Sequence, residues 1–260
     1  MIIVSDNLQI TNPLINSAVD QMNPEPIKKL VNIYVTAGAE AIDINAGPLT
    51  RSPEDKMAFL VKTVQSVTDL PLFLDTSNSK ALEAGLIESR NHTIINGFSL
   101  EPKRLITVLP LAKKYNTDII GYLLSPSSRV PIDETDCMNT ALDLYLEFQK
   151  EDIDDARLII DPVIAPFIWE YGNHHNRAIL SVIKNLPDLL GFPVRTIAGL
   201  SNLSSGNIPI ERKRLLEQSF LPMLSASGLT LALLNVFHAE TMSVARVCKS
   251  LLSPGVFSWV

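Results

Sequence analysis

The chain predicts a (β/α)8 barrel: a closed ring of eight parallel strands wrapped by helices. Three observations predict it. Eight short apolar runs alternate with amphipathic stretches from one end to the other, the pattern of strands joined by helices. The runs are near-continuously apolar, as strands covered on both faces are. The 260 residues leave about 32 per repeat, and barrels of this kind run to about 250 residues. An open doubly wound sheet alternates in the same way, but its first strand ends in a Gly-rich turn. No G-x-G-x-x-G or Walker loop occurs in the chain. No linker or shift in composition divides it, so residues 1–260 read as one domain.

The first run is Ile2-Ile3-Val4. A helix starts at Asn23-Pro24, with Asn as N-cap and Pro in the first turn. Ile27, Leu30, Val31 and Tyr34 give it an apolar face at helical spacing, and Gly38 ends it. The second run spans residues 41–45. Ser52-Pro53 repeats the cap pattern before Met57, Leu60, Val61 and Val64. Run three, Leu72-Phe73-Leu74, meets Asp75, and a helix over 79–89 follows. Run four, Thr93-Ile94-Ile95, meets Asn96, and a helix over 101–115 follows. Run five covers 119–124, before a proline-containing loop and a helix over 133–150. Run six, Leu158-Ile159-Ile160, ends at Asp161, before a loop and a helix over 174–190. Run seven covers 196–200 and ends at Ser201-Asn202, before a helix over 213–228. Run eight covers 229–234 and ends at Asn235, before a last helix from about 238 to 252. That makes eight helices for eight strands.

Composition excludes several classes. Hydrophobic residues are 46% and charged residues 19%, below the average of about 25% charged. Mean hydropathy is +0.18, so disorder is excluded. Net charge is −6, and no basic run exceeds Arg212-Lys213-Arg214. A nucleic-acid partner is therefore not expected. Residues 218–239 contain no Asp, Glu, Lys or Arg and are long enough to span a bilayer. Pro222, Ser225, Gly228 and Asn235 break them, so a helix followed by a strand is expected there and no membrane span. Cys137 and Cys248 lie far apart without metal-ligand spacing, and the first residues carry no signal-peptide pattern. A reduced, cytoplasmic protein is expected.

In such barrels the chemistry lies at the C-terminal strand ends. Here those ends read Asp6 and Asn7, Asn45, Asp75, Asn96, Ser125, Asp161, Ser201 and Asn202, and Asn235. They are Asp, Asn and Ser, with no Lys or Arg. Such residues also cap helices and make turns. An Asp directly after buried β residues, as in Phe73-Leu74-Asp75 and Ile159-Ile160-Asp161, points to the barrel mouth instead. Carboxylates and amides together suit a neutral heterocycle rich in N–H groups. A phosphate ligand would call for basic groups or a Gly-rich helix start. His174-His175 point about 100° apart on a helix, so no metal site is expected. Gly199-Leu200-Ser201-Asn202-Leu203 lacks the second glycine of a nucleophile elbow.

Five motifs occur in order at these ends. They are residues 43–48 (DINAGP), 74–78 (LDTSN) with 83–86 (EAGL), 95–97 (ING), 160–162 (IDP) and 199–204 (GLSNLS). Together they resemble the pterin-binding barrels, and within them the methyltetrahydrofolate:corrinoid (iron-sulfur) protein methyltransferases, over essentially the whole chain. The resemblance implies a homodimer that binds tetrahydrofolate or 5-methyltetrahydrofolate. Asp75, Asn96 and Asp161 would then hydrogen-bond the pterin, with Asn45 and Ser201 lining the pocket. Asn202 would sit by the methyl-bearing ring nitrogen as the catalytic residue. Asp6, Asn7, Gly199 and Asn235 would border the site. Cobalamin would arrive on a separate corrinoid protein, because the chain has no cobalamin-binding motif, and residues 162–171, with Phe167, Trp169 and Tyr171, are candidate contacts for it. Three positions depart from the family pattern: Ser5-Asp6-Asn7 stands for Gly-Glu-Arg/Asn, Lys213 for Arg, and Asn235 for an acid. A dihydropteroate synthase would need Lys and Arg where Ser201-Asn202 and Asn235 stand. A pterin-binding subunit without catalysis is the remaining alternative. The direction of methyl transfer is left open.

Overall fold

A computed structural model describes residues 1–253. The eight runs form one closed parallel barrel in the order β1 to β8, with β8 paired back onto β1. The elements are β1 (Ile2–Gln9), α1 (Pro13–Asp20), α2 (Pro24–Ala37), β2 (Ala41–Asn45), α3 (Pro53–Gln65), β3 (Leu72–Asp75), α4 (Ser79–Glu88), β4 (Thr93–Phe98) and α5 (Pro102–Thr107). There follow α6 (Leu109–Tyr115), β5 (Asp118–Tyr122), α7 (Glu134–Gln149), β6 (Leu158–Asp161), α8 (Gly172–Leu190), β7 (Arg195–Gly199), α9 (Ile210–Ala226), β8 (Leu231–Leu234) and α10 (Ala239–Leu251). The expected (β/α)8 architecture is what the chain adopts.

The helix count differs from expectation, with ten α-helices among the described residues instead of eight. The short α1 is an addition, capped by Asn12, whose side chain accepts from the Leu14 N–H. The expected helix over 101–115 is two, parted at Val108. Pro110 has no N–H to give the Ile106 carbonyl, and its ring crowds that turn. Ser52 is not the cap expected of it. Its φ is +44° and its side chain makes no capping bond, so Pro53, Glu54 and Asp55 start α3 through fixed φ and charge alone. Asn23 and Asn78 do cap α2 and α4. Residues 218–239 divide between the end of α9, a left-handed Gly228 and β8. No helix among the described residues is long and apolar enough to cross a membrane.

The barrel interior is built in layers. One buried apolar side chain from each strand forms the lower layer: Val4, Ala41, Phe73, Ile94, Ile120, Ile159, Ile197 and Leu231. Side chains on a strand return to the same face every second residue. Two positions higher the interior therefore presents Asp6, Asp43, Asp75, Asn96, Tyr122, Asp161, Gly199 and Leu233. The apolar layer becomes a mostly polar one in a single step. Below it, at the N-terminal end of β5, the buried Asp118 carboxylate meets Arg195 at 2.9 Å, His92 at 3.3 Å and Arg157 at 3.7 Å.

Candidate functional site

The polar layer brings together side chains from neighbouring strands because the registers place them there. Asn45 pairs with Asp75, Asp75 with Asn96, and Tyr122 with Asp161. Between Asn96 and Phe98 the β4 register slips by one residue. Gly97 sits at the slip, where a Cβ would collide with the Ile120 carbonyl oxygen. Glycine is thus required for β4 and β5 to approach this closely.

Three groups keep free hydrogen-bonding capacity at the mouth. The Asp75 carboxylate accepts from Asn45 Nδ2 at 2.7 Å through Oδ2 only. Asp161 accepts from the Val163 N–H at 2.7 Å through Oδ1 only. Asn96, 7% exposed, donates through Nδ2 to Asp43 Oδ1 at 3.0 Å and accepts the Tyr122 hydroxyl at 2.5 Å. An amide has two donors and two acceptor sites, so Asn96 retains one of each. The layer therefore offers an acceptor, a donor–acceptor pair and a second acceptor.

Burial governs the electrostatics. It pushes the Asp161 carboxyl up to about 7, against the pull of the Val163 N–H. It pushes Asp75 up to about 6, while Arg104 and the Asn45 hydrogen bond draw it down. Asp43, 1% exposed, is held well above the usual carboxylate range by burial and then by the Asp75 charge. Asp6 rises to about 6 through burial, with the Ser201 hydroxyl lowering it and Glu217 raising it. Burial and the surrounding carboxylates hold the Tyr122 phenol well above its ordinary range. With carboxyls near neutrality, Asp75 and Asp161 can each accept or, when protonated, donate.

The remaining sequence-predicted residues separate into two groups. Ser201 faces Asp6, and Asn202 is exposed on a single 3₁₀ turn after β7. The Asn202 amide lies over Gly199, where a Cβ would stand 3.5 Å from its Nδ2, and among the described residues it makes no hydrogen bond. Asn7 and Asn235 bind one another across the β1–β8 seam. Asn7 Nδ2 donates to Asn235 Oδ1 at 2.7 Å, and Asn7 Oδ1 accepts from the Val236 N–H at 2.9 Å. Asn235 Oδ1 also accepts from the Phe237 N–H, and its Nδ2 meets His238 Nε2 at 3.3 Å. Their capacity is largely used in closing the barrel.

Three residues of the candidate site escape a reading of strand ends. Asp43 and Tyr122 do so because direction, not position in a run, puts them in the interior. Period two from Ala41 and Ile120 reveals both. Arg104 adds a cation that the strand ends, which carry no Lys or Arg, do not reveal. It reaches back from α5, donates to the Gly97 carbonyl at 3.1 Å and acts on Asp75. No local sequence signal shows this. The aromatic loop over 162–171 also divides. Trp169 and Tyr171 line a cavity of about 360 Å³ with Arg129, Ile132 and His175, whereas Phe167 and Ile168 line a separate groove against Leu215 and Leu216. Among the described residues no cluster of three His, Cys, Asp or Glu side chains is placed to hold a metal ion.

Known proteins share the fold of this chain. The profile described as "Pterin binding enzyme" matches residues 16–247. A methylcorrinoid:tetrahydrofolate methyltransferase of Eubacterium limosum is 21% identical over 254 residues, which are 97% of this chain and 91% of that protein. Dihydropteroate synthase of Xanthomonas albilineans in complex with 7,8-dihydropteroate superposes with a TM-score of 0.70 at 14% identity, over 98% of this chain and 94% of that one. The Yersinia pestis dihydropteroate synthase gives 0.68 at 16% identity, over 96% and 93%.

Proposed function

The chain belongs to the pterin-binding enzymes, and from that premise we propose that it is a methyltransferase acting between the N5 ring nitrogen of tetrahydrofolate and the cobalt of a corrinoid on a separate protein. The free capacity of the polar layer carries the reading. A pterin presents N–H donors beside ring and carbonyl acceptors along one edge. Asp75, Asn96 and Asp161 offer the complementary set. Asn45 orients Asp75, and Ser201 with Asp6 borders the ring. The methyltransferase relative from Eubacterium limosum supports the same substrate pair.

The corrinoid supplies the cobalt that gives or takes the methyl group. In the folate-methylating direction the N5 lone pair forms the new N–C bond, the Co–C pair stays on cobalt, and the N5 proton leaves. In the reverse direction N5 must be protonated or strongly hydrogen-bonded to depart. Asn202, with its amide unengaged, can donate to or accept from N5 in either case. The chain's contribution is positioning and hydrogen bonding, with no nucleophile of its own. A dihydropteroate synthase reaction is disfavoured because Ser201, Asn202 and Asn235 stand where a diphosphate would need cations. The unpaired, buried Cys137 and Cys248 fit a reducing cytoplasm. We take the working form to be a homodimer that meets its corrinoid protein transiently.

Titration with tetrahydrofolate and 5-methyltetrahydrofolate, followed by methyl exchange with methylcobalamin, tests this. Binding of both and exchange are expected. Asn202→Ala should slow exchange by roughly 10²-fold or more and leave Kd nearly unchanged, whereas Asp75→Ala should raise Kd. Absence of folate binding overturns the reading. Folate binding without exchange leaves a pterin-binding subunit.

A further inference from the structure

We propose that Tyr122 and Asp43 clamp the Asn96 amide in one orientation, making Tyr122 a positioning residue that decides which way round a flat donor–acceptor ring is read. This rests on the pterin reading of Asn96 and goes one step beneath it.

Asn96 is gripped from two strands that do not adjoin each other. Tyr122 on β5 donates to Oδ1, and Asp43 on β2, with β3 between it and Asn96, accepts from Nδ2. An asparagine side chain can turn its amide over with little change in shape. Here an inverted amide sets Oδ1 against the Asp43 oxygen and the Nδ2 hydrogens against the Tyr122 hydroxyl hydrogen. To accommodate it, Tyr122 would have to turn its hydroxyl hydrogen away and Asp43 would have to present a proton where it now accepts one. The clamp is also rigid from behind. Gly97 lets β4 close on β5, and the Tyr122 ring packs against the apolar layer beneath. The two hydrogen-bonding positions that Asn96 leaves free are therefore fixed in order, donor on one side and acceptor on the other. Their order selects the edge of the heterocycle that fits, and a population of inverted amides would weaken apparent affinity in proportion.

Tyr122→Phe tests the clamp, since it deletes the hydroxyl and keeps the packed ring. Tetrahydrofolate Kd is measured for the parent, Tyr122→Phe, Asn96→Ala and the double variant. Tyr122→Phe should weaken binding by roughly three- to tenfold, the effect of one lost hydrogen bond. In the Asn96→Ala background it should have almost no effect, because the clamp then has nothing to hold. Equal losses in both backgrounds would mean that Tyr122 acts through packing alone, and they overturn the proposal. A Tyr122→Phe variant that binds like the parent does the same. A ligand-free measurement separates this from the functional reading. With ¹⁵N-asparagine labelling, the Asn96 side-chain NH2 should give one slowly exchanging pair in the parent and a broadened or doubled one in Tyr122→Phe. An unchanged pair overturns the clamp even if folate binds. If folate does not bind but the pair changes, the clamp stands and the pterin reading falls.

Discussion

Burial holds the Asp161 carboxyl up at about 7, so the residue that suits a ligand costs the fold. Its unfolded value is near 4. The native state therefore keeps a proton that the unfolded chain has released, and stability declines as pH rises from about 4 to about 7. Asp161→Asn keeps an oxygen for the Val163 N–H and cannot ionise. Urea unfolding should show parent and variant alike at pH 4. At pH 8 the variant should be more stable by about 1–3 kcal/mol, because solvent reaching the carboxyl moderates the penalty, and its folate binding should be weaker. At this scale the sequence is informative about residue type and less so about direction. Asp75 and Asp161 follow buried β residues and are found from the run alone. Asp43 lies inside its run and needs the period of two. Arg104 comes from a helix, and only the folded chain brings it to Asp75.

Among the elements, β4 does most to shape the site. Its slip at Gly97 sets Asn96 beside Tyr122. Gly97→Ala forces a Cβ against the Ile120 carbonyl, so β4 and β5 must part. A loss of about 1–3 kcal/mol is expected, as for other overpacked interiors, read as a lower Tm together with weaker folate binding. Strands were legible because their runs are nearly continuously apolar. Helix boundaries were less so. Asn23 announces α2 through cap and proline, while Ser52 stands before a proline in the same way and does not cap. The division of α5 from α6 follows from Pro110, whose effect depends on the turn it enters and not on the amphipathic spacing around it.

Across the whole molecule the two ends of the barrel do different work. Asp118 at the base ties Arg195, Arg157 and His92 from three other strand ends, whereas the upper polar layer keeps hydrogen-bonding groups unspent. Asp118→Asn removes the charge between two arginines and should lower unfolding free energy by about 1–3 kcal/mol. The loss should shrink at high salt, and folate Kd should stay at the parent value. A shift in Kd would show that the base and the mouth are mechanically joined. Eight repeats and the barrel itself could be read from alternation and length. The base network could not, because its members are far apart in sequence and meet only when the ring closes.

The single apolar layer between these ends has an evolutionary consequence. It insulates the inventory of groups that recognise a ligand from the charges that fasten the ring. Lineages could exchange amides, acids and cations at the mouth for a new substrate without renegotiating the foundation, and a change at either end would be judged by selection on its own merits.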